Sequence, residues 1–221
     1  MTSNAPRYDI ISTGSLGNAV VIEGEILIDV GVSFKALRPY YRQLKLVLCT
    51  HSHGDHFNPA TVRRLAAERP TLRWGCCAWM VSWLVNSNVS HKQIDVLSTG
   101  AEARYSGYLS IIPVPLVHDV PNCGYYINQC GKTMLYATDT SSLDQITCKD
   151  LGLYMLEANH ITEDIKRRIA EKRAAGDYCY EERAMHTHLS KEQCDDWFYR
   201  NGGPHSTLVY LHCHQEKEES A

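Results

Sequence analysis

Three histidines and one aspartate fall within six residues in the segment Cys49-Thr50-His51-Ser52-His53-Gly54-Asp55-His56. Because side chains alternate along a strand, a strand that ends here directs His51 and His53 to the same side. The turn that follows offers Asp55 and His56 to a second point. This spacing favours two adjacent metal ions, which can activate water and stabilise both oxygens of a displacement. The alternative is a solvated polar loop.

Further nitrogen and oxygen donors follow other apolar runs that the sequence predicts to be strands. His118, Asp139 and His212 each come shortly after such a run. A strand end is a rigid support facing a loop-rich surface, where sites are commonly built. Any one of these residues alone is most often an ordinary polar loop residue. Four separate strand ends that each supply His or Asp indicate one metal centre.

The bulk composition is that of an ordinary globular chain. Its 221 residues are enough to bury a full core as one domain, and we predict that domain over residues 1–214, with a polar tail over 215–221. The 22 basic and 25 acidic residues are nearly balanced, which argues against coating of duplex nucleic acid or of a membrane surface. An enzyme that binds a few nucleotides stays compatible, because bound metal ions supply positive charge themselves.

The expected location is the cytoplasm, without a membrane partner. The N-terminus has no basic-then-apolar signal pattern, and no apolar run approaches the length that spans a bilayer. The nine cysteines include no Cys-x-x-Cys pair, so neither a zinc ribbon nor a thioredoxin-type site is indicated. We expect most of them to be buried reduced thiols.

Short apolar runs and helical patterns predict a layered α/β sandwich in one domain. The predicted strands are Tyr8–Ile11, Ala19–Glu23, Ile26–Asp29, Leu46–Cys49, Leu72–Trp74, Leu109–Leu116, Tyr125–Asn128, Thr133–Ala137, Leu153–Leu156 and Thr207–Leu211. The predicted helices run from Ser33 towards Gln43, from Pro59 to Glu68 behind an Asn58 cap, and over Ala78–Val85, Ile161–Ala175 and Lys191–Arg200. The prolines of Leu109–Leu116 place that strand at a sheet edge.

The order His-x-His-x-Asp-His, then His118, Asp139 and His212, resembles the metallo-β-lactamase fold hydrolases over nearly the whole chain. The segment Leu27-Ile28-Asp29-Val30-Gly31 resembles the family's LIDxG step ahead of the metal cluster. The resemblance implies an αββα four-layer sandwich, in which two sheets are flanked by helices.

The same resemblance implies a dinuclear ligand set. The first ion would be held by His51, His53 and His118, the second by Asp55, His56 and His212, and both by a bridging Asp139. Nitrogen and oxygen donors suit zinc, with manganese as the alternative. The family tends to place a serine two residues after the last histidine. This chain reads His212-Cys213-His214 instead, so His214 is the fallback for the last ligand, and Asp29 is a candidate for orienting a histidine.

Three further motifs narrow the resemblance to a small bacterial branch with nuclease-like members, related to RNase Z. The segment Thr13–Asn18 resembles its GSxGN loop, Glu157-Ala158-Asn159-His160 its E-(S/A)-N-H segment, and His188-Leu189-Ser190 its HLS motif. By analogy, Glu157 would hold His188, which would protonate the leaving oxygen or steady the phosphate. The alternative for His188 is a contact that caps the following helix.

In the loop Thr13–Asn18, the residues Ser15, Gly17 and Asn18 are candidates for binding a substrate phosphate through backbone N–H groups. A plain tight turn is an equally good interpretation of this loop.

The expected function is that of a dinuclear metal-dependent phosphodiesterase, most simply an exonuclease-like enzyme acting on DNA or RNA through a metal-activated hydroxide, with Asp55, His188 and Glu157 as the catalytic group. The alternatives are a cyclic-nucleotide phosphodiesterase, a thioester, lactone or β-lactam hydrolase, and a binding protein without chemistry. The sequence has no long insertion between Asp139 and His188 that could form the extra domain of RNase J-type enzymes, and it shows no Gly/Pro-rich tRNA-gripping arm, which argues against full tRNA processing. The resemblance also implies a phage-like gene setting and a homodimer, for which the Trp79/Trp83 helix is a candidate surface.

Overall fold

The computed structural model describes residues 4–213, which form two six-stranded sheets with helices on their outer faces. The first sheet contains β1 (Tyr8–Ser12), β2 (Ala19–Ile22), β3 (Ile26–Ile28), β4 (Leu46–Cys49), β5 (Arg73–Cys77) and β6 (Ile94–Leu97) in that order. The second contains β7 (Ala103–Ser106), β8 (Leu109–Leu116), β9 (Asn122–Gln129), β10 (Lys132–Ala137), β11 (Leu153–Glu157) and β12 (Thr207–Leu211), also in chain order across the sheet. The helices are α1 (Phe34–Leu37), α2 (Pro59–Glu68), α3 (Val81–Asn86), α4 (Thr162–Ala175), α5 (Glu181–Thr187) and α6 (Lys191–Asn201), with 3-10 turns at Ala78–Met80 and His91–Gln93.

Both faces of the first sheet are buried, and alternation along its strands divides the core into layers. Val21, Leu27 and Val47 belong to the cluster that packs against α1, α2 and α3. Their neighbours Ile22 and Leu48 belong to the cluster between the two sheets. Because successive strand residues point to opposite faces, short continuous apolar runs suffice to join the helices, this sheet and the second sheet.

The second sheet is covered on its outer face by α6. Trp197 and Cys194 of this helix pack with Tyr154 and Leu156 of β11. The result is helix, sheet, sheet and helix in succession, which confirms the predicted αββα sandwich. Helices α4 and α5 add a small cluster of their own that includes Ile165.

Several predicted elements have the predicted bounds, and α2 shows why. The Asn58 side chain accepts hydrogen bonds from Ala60 N and Thr61 N, each at 3.1 Å, and Pro59 occupies the first helical position. This is the cap that the sequence pattern requires. Strands β4 and β12 also match their predicted ranges.

The edge position predicted for Leu109–Leu116 is wrong. This strand, β8, pairs with β9 along its whole length and with β7 over Leu109–Ile111. Pro113 and Pro115 lie beyond the end of β7, so their missing N–H groups break no ladder on that side. The prolines therefore indicate only that part of the strand is unpaired on one side. They do not indicate that the whole strand lies at the edge of the sheet.

Other differences are local. The helix predicted from Ser33 towards Gln43 ends at Leu37, because Pro39 has no N–H with which to continue it. Strands β6 and β7 and helix α5 were not predicted. None of the helices within residues 4–213 combines the length and apolarity needed to cross a membrane.

Candidate metal centre

The candidate site lies where the carboxyl ends of several strands meet. Strands β10, β11 and β12 run parallel, so the residues after them reach the same edge of the second sheet. Asp139 (φ 58°) and His212 (φ 52°) leave these strands in the left-handed backbone region, as Asp29 (φ 61°) does after β3. Asp and His are among the few residues that adopt this conformation with some frequency. The strained turns aim these side chains into one pocket.

The first group of donors contains His51, His53 and His118, whose ring nitrogens lie within 4.8 Å of one another. His118 Nδ1 lies 3.2 Å from the carbonyl oxygen of Thr187, which can only accept, so this nitrogen carries the proton and Nε2 keeps its lone pair. His53 Nδ1 lies 3.3 Å from this His118 Nε2, so the two ring nitrogens face each other.

The second group contains Asp55, His56 and His212, again with donors within 4.8 Å. Asp55 Oδ2 lies 3.7 Å from Nε2 of both His56 and His212. Asp139 lies between the two groups. Its Oδ2 is 2.9 Å from His56 Nε2, and its Oδ1 is 3.9 Å from His118 Nε2.

These residues fit divalent cations. Two histidine nitrogens bound to one tetrahedral zinc at about 2.0–2.1 Å stand about 3.4 Å apart, which matches the 3.3 Å between His53 Nδ1 and His118 Nε2. His51 Nε2 is buried without a hydrogen-bond partner among the described residues. Buried polar atoms without partners are rare in folded proteins, and a cation would satisfy this nitrogen.

The charge balance of the pocket also favours bound cations. Asp29, Asp139 and Glu157 are almost fully buried, and Asp55 lies beside them. The ion-pair partners of all four carboxylates are histidines. A buried excess of negative charge is costly unless cations or protons neutralise it.

Without metal, protons take the place of cations in the second group. Burial lowers the pKa of His212, but hydrogen bonds to Asp55 and Glu157 outweigh it and raise that pKa to about 10. Burial acts in the same direction on His56, and the carboxylates of Asp139 and Asp29 raise its pKa well above the ordinary value. In the first group, burial lowers the pKa of His51 and of His118, so both rings are neutral donors.

Outer carboxylates fix the ligand rings. Asp29 Oδ2 lies 2.7 Å from His56 Nδ1, while Thr50 donates to the same carboxylate from its backbone N–H at 2.9 Å and from its hydroxyl at 3.0 Å. The Thr50 hydroxyl also lies 3.0 Å from His51 Nδ1. Asp29, the predicted orienting residue, therefore holds His56 directly and steadies His51 through Thr50.

Glu157 and His188 lie beside Asp139 and His212 in this pocket. Glu157 Oε1 is 2.6 Å from His188 Nδ1 and 2.9 Å from His212 Nδ1, so one carboxylate orients both rings. His188 is also 3.9 Å from Asp139. Burial raises the pKa of Glu157, but hydrogen bonds from His188 and His212 outweigh it and lower that pKa below its ordinary value.

The loop Thr13–Asn18 packs against the donor residues Asp55, His56 and His212. Asn18 is buried, and its Nδ2 lies 2.8 Å from His56 Nε2 and 3.3 Å from Asp55 Oδ2. Thr13 Oγ1 accepts from the His212 N–H at 2.8 Å. The N–H of Gly17 is bonded to the Gly14 carbonyl oxygen at 3.0 Å. Asn18 and Gly17 thus have protein partners, and the predicted role of Ser15, Gly17 and Asn18 in phosphate binding stays a prediction.

Two glycines allow this loop to pack so closely. A Cβ on Gly31 would lie 1.7 Å from the carbonyl oxygen of Asp55. A Cβ on Gly17, whose φ is +137°, would lie 2.6 Å from the carbonyl oxygen of Gly31. Gly17 of the GSxGN segment and Gly31 of the LIDxG segment are therefore required because a side chain at either position would clash with the backbone beneath the donor cluster.

Asp119 and Arg183 were not predicted as site residues. Asp119 Oδ1 lies 3.3 Å from His53 Nε2 and 3.2 Å from His118 Nε2, and its other oxygen pairs with Arg183 of α5. Asp119 was visible in the sequence only as the residue after His118, and Arg183 carried no signal because α5 itself was not predicted. His214, the fallback ligand, lies outside the described residues.

Comparison with known proteins places this architecture in a family. A model described as the Beta-lactamase superfamily domain matches residues 25–212, and the chain belongs to this superfamily. The predicted fold family is thereby confirmed. Exodeoxyribonuclease YycJ of Bacillus anthracis is 23% identical over 206 residues, covering 81% of this chain and 75% of that protein.

Two solved structures share the fold. The short form of human tRNase Z superposes with a TM-score of 0.70 at 16% identity, covering 94% of this chain and 93% of that one. A diphosphatase described as a new member of the PhnP family gives a TM-score of 0.65 at 17% identity, covering 93% and 85%.

Proposed function

We propose that this protein is a dinuclear metal-dependent phosphodiesterase whose substrate is a nucleic acid strand. The observation that carries the proposal is the position of His188, which Glu157 holds at 2.6 Å beside two donor groups that share Asp139. A metal centre alone serves many hydrolases. An oriented histidine next to it supplies the acid that an alkoxide leaving group needs. The named relative from Bacillus anthracis, an exodeoxyribonuclease, supports the choice of nucleic acid.

Seven side chains would hold the two ions. The first ion would take His51, His53 and His118, the second Asp55, His56 and His212, and Asp139 would contact both. When bound, two divalent cations supply an activated water and neutralise charge on the phosphoryl oxygens. The donors are nitrogen and oxygen only, which supports zinc as the native metal and manganese as the alternative.

The chain's own groups have separate tasks in this proposal. Glu157 accepts from Nδ1 of His188, so the opposite ring nitrogen, Nε2, is the one that presents a proton to the leaving oxygen. The His188 side chain is 17% exposed, which leaves it within reach of a substrate. Glu157 is a positioning residue, since it is fully buried and acts through His188 and His212. Asp55 serves as a metal donor and holds no proton, because its pKa lies below the ordinary value despite the opposing effect of burial.

The basic stretch of α4 adds little to nucleic acid binding. Lys166 pairs with Glu163 at 3.0 Å and Arg167 with Asp164 at 3.0 Å on the same helix. Arg173 pairs with Glu182 of α5 at 2.6 Å. Neutralised cations release few counterions, which supports a single strand or a strand end over a duplex.

A small phosphodiester, such as a cyclic nucleotide, is the second candidate. The observation that favours it is the same neutralisation of α4, together with the formal net charge of −3 for the whole chain. A ligand with one phosphate needs no basic track beyond the metal ions.

The test compares His188→Ala with His186→Ala in metal-loaded protein. His186 lies in the same helix-to-loop segment but outside the donor cluster, so it is a matched control. End-labelled single- and double-stranded DNA, RNA and a cyclic-nucleotide panel serve as substrates. We expect wild type and His186→Ala to cleave the strands and His188→Ala to lose about 10²–10⁴ in kcat. Cleavage of cyclic nucleotides alone would replace the first candidate by the second.

Other parts of the proposal have more general support. All nine cysteines are free thiols, which supports a reducing compartment such as the cytoplasm. Trp83 is 45% exposed, which keeps the α3 surface open to a homodimer, whereas Trp79 donates from Nε1 to the Thr50 carbonyl oxygen at 3.2 Å and packs in the core. The phage-like gene setting stays a prediction.

A further inference from the structure

A cavity of about 330 Å³ lies between α4, α5 and the ends of β11 and β12. Ala158 and Cys213 in its wall directly follow Glu157 and His212 of the candidate metal centre. Consecutive Cα atoms are 3.8 Å apart, so the cavity and the metal centre share two backbone segments. Its volume falls at the lower end of the range of roughly 300–1,000 Å³ that small-molecule sites occupy.

The charges in the cavity wall balance. Three charged groups of the wall are paired with side chains outside it: Asp164 with Arg167 at 3.0 Å, Glu181 with Lys172 at 2.5 Å and Lys191 with Asp195 at 2.6 Å. Charges that are already paired are less available to capture a phosphate. A wall of paired charges fits an uncharged ligand group with polar edges.

The shape and the apolar surface fit a flat ring. Ile165 and Ala184 form buried apolar parts of the lining, while Tyr180 is 41% and Tyr210 is 37% exposed. Lys172 Nζ lies over one face of the Tyr180 ring, 5.3 Å from its centroid, and Lys191 Nζ lies over one face of the Tyr210 ring at 4.8 Å. The exposed remainder of each ring, above the apolar floor, is the surface available to a stacking nucleobase.

His160 contributes a ring nitrogen without a hydrogen-bond partner in residues 4–213. Its Nδ1 is buried without a partner among the described residues, and the ring lines the cavity. The backbone is used, because its carbonyl oxygen accepts from Lys191 N at 2.8 Å. Asn159 differs, since its Nδ2 donates to the His212 carbonyl oxygen at 3.1 Å.

We propose that this cavity is a nucleobase-binding subsite, which takes the base of a nucleotide adjoining the phosphate that is hydrolysed. The inference rests on the proposed phosphodiesterase function. It adds that the enzyme recognises the base beside the cut as well as the phosphate, through a tyrosine face and polar wall groups such as His160.

The test uses the metal-loaded full chain and two single-stranded DNA oligomers of equal length, one normal and one with abasic sites throughout. Binding of hydrolysis-resistant phosphorothioate versions is measured by fluorescence anisotropy, and cleavage of the ordinary versions is measured in parallel. For Tyr180→Ala we expect binding of the normal strand to weaken about 5- to 100-fold, the range for loss of a stacking ring. Binding of the abasic strand should change less than twofold.

Matched variants separate base recognition from folding. Tyr178, 86% exposed and outside the cavity lining, gives the control Tyr178→Ala, which should bind both strands as wild type does. Tyr180→Leu keeps apolar volume without an aromatic face and should reproduce the loss, while Tyr180→Phe should retain wild-type binding. Equal losses on both strands, or none on either, would overturn the subsite while leaving the nuclease proposal standing. If wild type cleaves a simple phosphodiester and no oligomer, the nucleic acid proposal itself fails.

Discussion

Glu157→Gln is the substitution whose effect follows most directly from the structure, because both carboxylate oxygens of Glu157 have defined hydrogen-bond partners. Oε1 of Glu157 faces His188 Nδ1 at 2.6 Å and His212 Nδ1 at 2.9 Å, and Oε2 accepts from Thr140 N at 2.8 Å and Leu189 N at 3.2 Å. An amide of the same shape carries one acceptor and one donor. Whichever way it turns, its NH₂ group faces two N–H groups.

The backbone N–H groups cannot change, so the amide oxygen must keep Thr140 and Leu189 as donors. The NH₂ group then faces His188 and His212, and each ring must move its proton from Nδ1 to Nε2. For His212 this protonates the nitrogen that faces Asp55, and the second cation loses a ligand. For His188 it fixes the proton without the carboxylate that stabilises the charged ring.

Hydrogen bonds to a charged group contribute about 1.5–3 kcal/mol each, and the substitution weakens two of them. Loss of an outer-shell partner typically lowers metal affinity by about 10–100-fold. We therefore expect the second ion to bind at least about tenfold more weakly and kcat on a phosphodiester to fall by about 10²–10⁴ through His188.

Metal affinity is measured by titration against a competing chelator, kcat at saturating metal, and folding by thermal unfolding. Glu192→Gln is the control, because the Glu192 carboxylate binds the Thr162 hydroxyl on the surface. The reasoning is refuted if Glu157→Gln binds both ions with wild-type affinity and keeps kcat within twofold.

Three further predictions concern packing and protons. Gly31→Ala places a Cβ 1.7 Å from the Asp55 carbonyl oxygen, whereas a Cβ on Gly54 meets nothing within 4 Å. Chemical denaturation should therefore show Gly31→Ala destabilised by about 1–3 kcal/mol or more and Gly54→Ala nearly unchanged. Metal binding at pH 7.5 should release protons, because the pKa of His212 is about 10 in the metal-free pocket; calorimetry in buffers of different ionisation enthalpy detects this, and identical heats would contradict it. By the same linkage, the protonated His212 ring stabilises the metal-free fold below its ordinary pKa of 6.5, and this contribution disappears as the pH rises from 6.5 to about 10. Thermal unfolding should show that loss over this pH range in metal-free protein and little of it in metal-loaded protein.

The donor cluster was predictable because its signals are local. His51 and His53 follow the buried strand β4, and four donors within six residues are visible in the sequence itself. The strand ends at Cys49, so the loop after it, rather than strand alternation, brings the two rings together. The parallel pairing of β10, β11 and β12 could not be predicted from local sequence patterns. This pairing brings Asp139, Glu157 and His212 together.

What escaped prediction depends on contacts between distant segments. Asp119 contacts His53, which lies far away in the sequence, and its other oxygen pairs with Arg183, which lies 64 residues further on in α5. The two-sided role of Glu157 could not be inferred either, since it requires His188 and His212 to arrive from opposite directions. Strand β8 pairs with β7 over only part of its length, and the point where this pairing stops depends on where β7 ends. The presence of Pro113 does not indicate where β7 ends.

The most direct test is anomalous diffraction from crystals of the full chain grown with zinc. We expect two anomalous peaks, one surrounded by His51, His53 and His118, the other by Asp55, His56 and His212, with Asp139 contacting both. A single peak, or ions bound through residues other than these seven, would contradict the dinuclear centre on which the proposed chemistry depends.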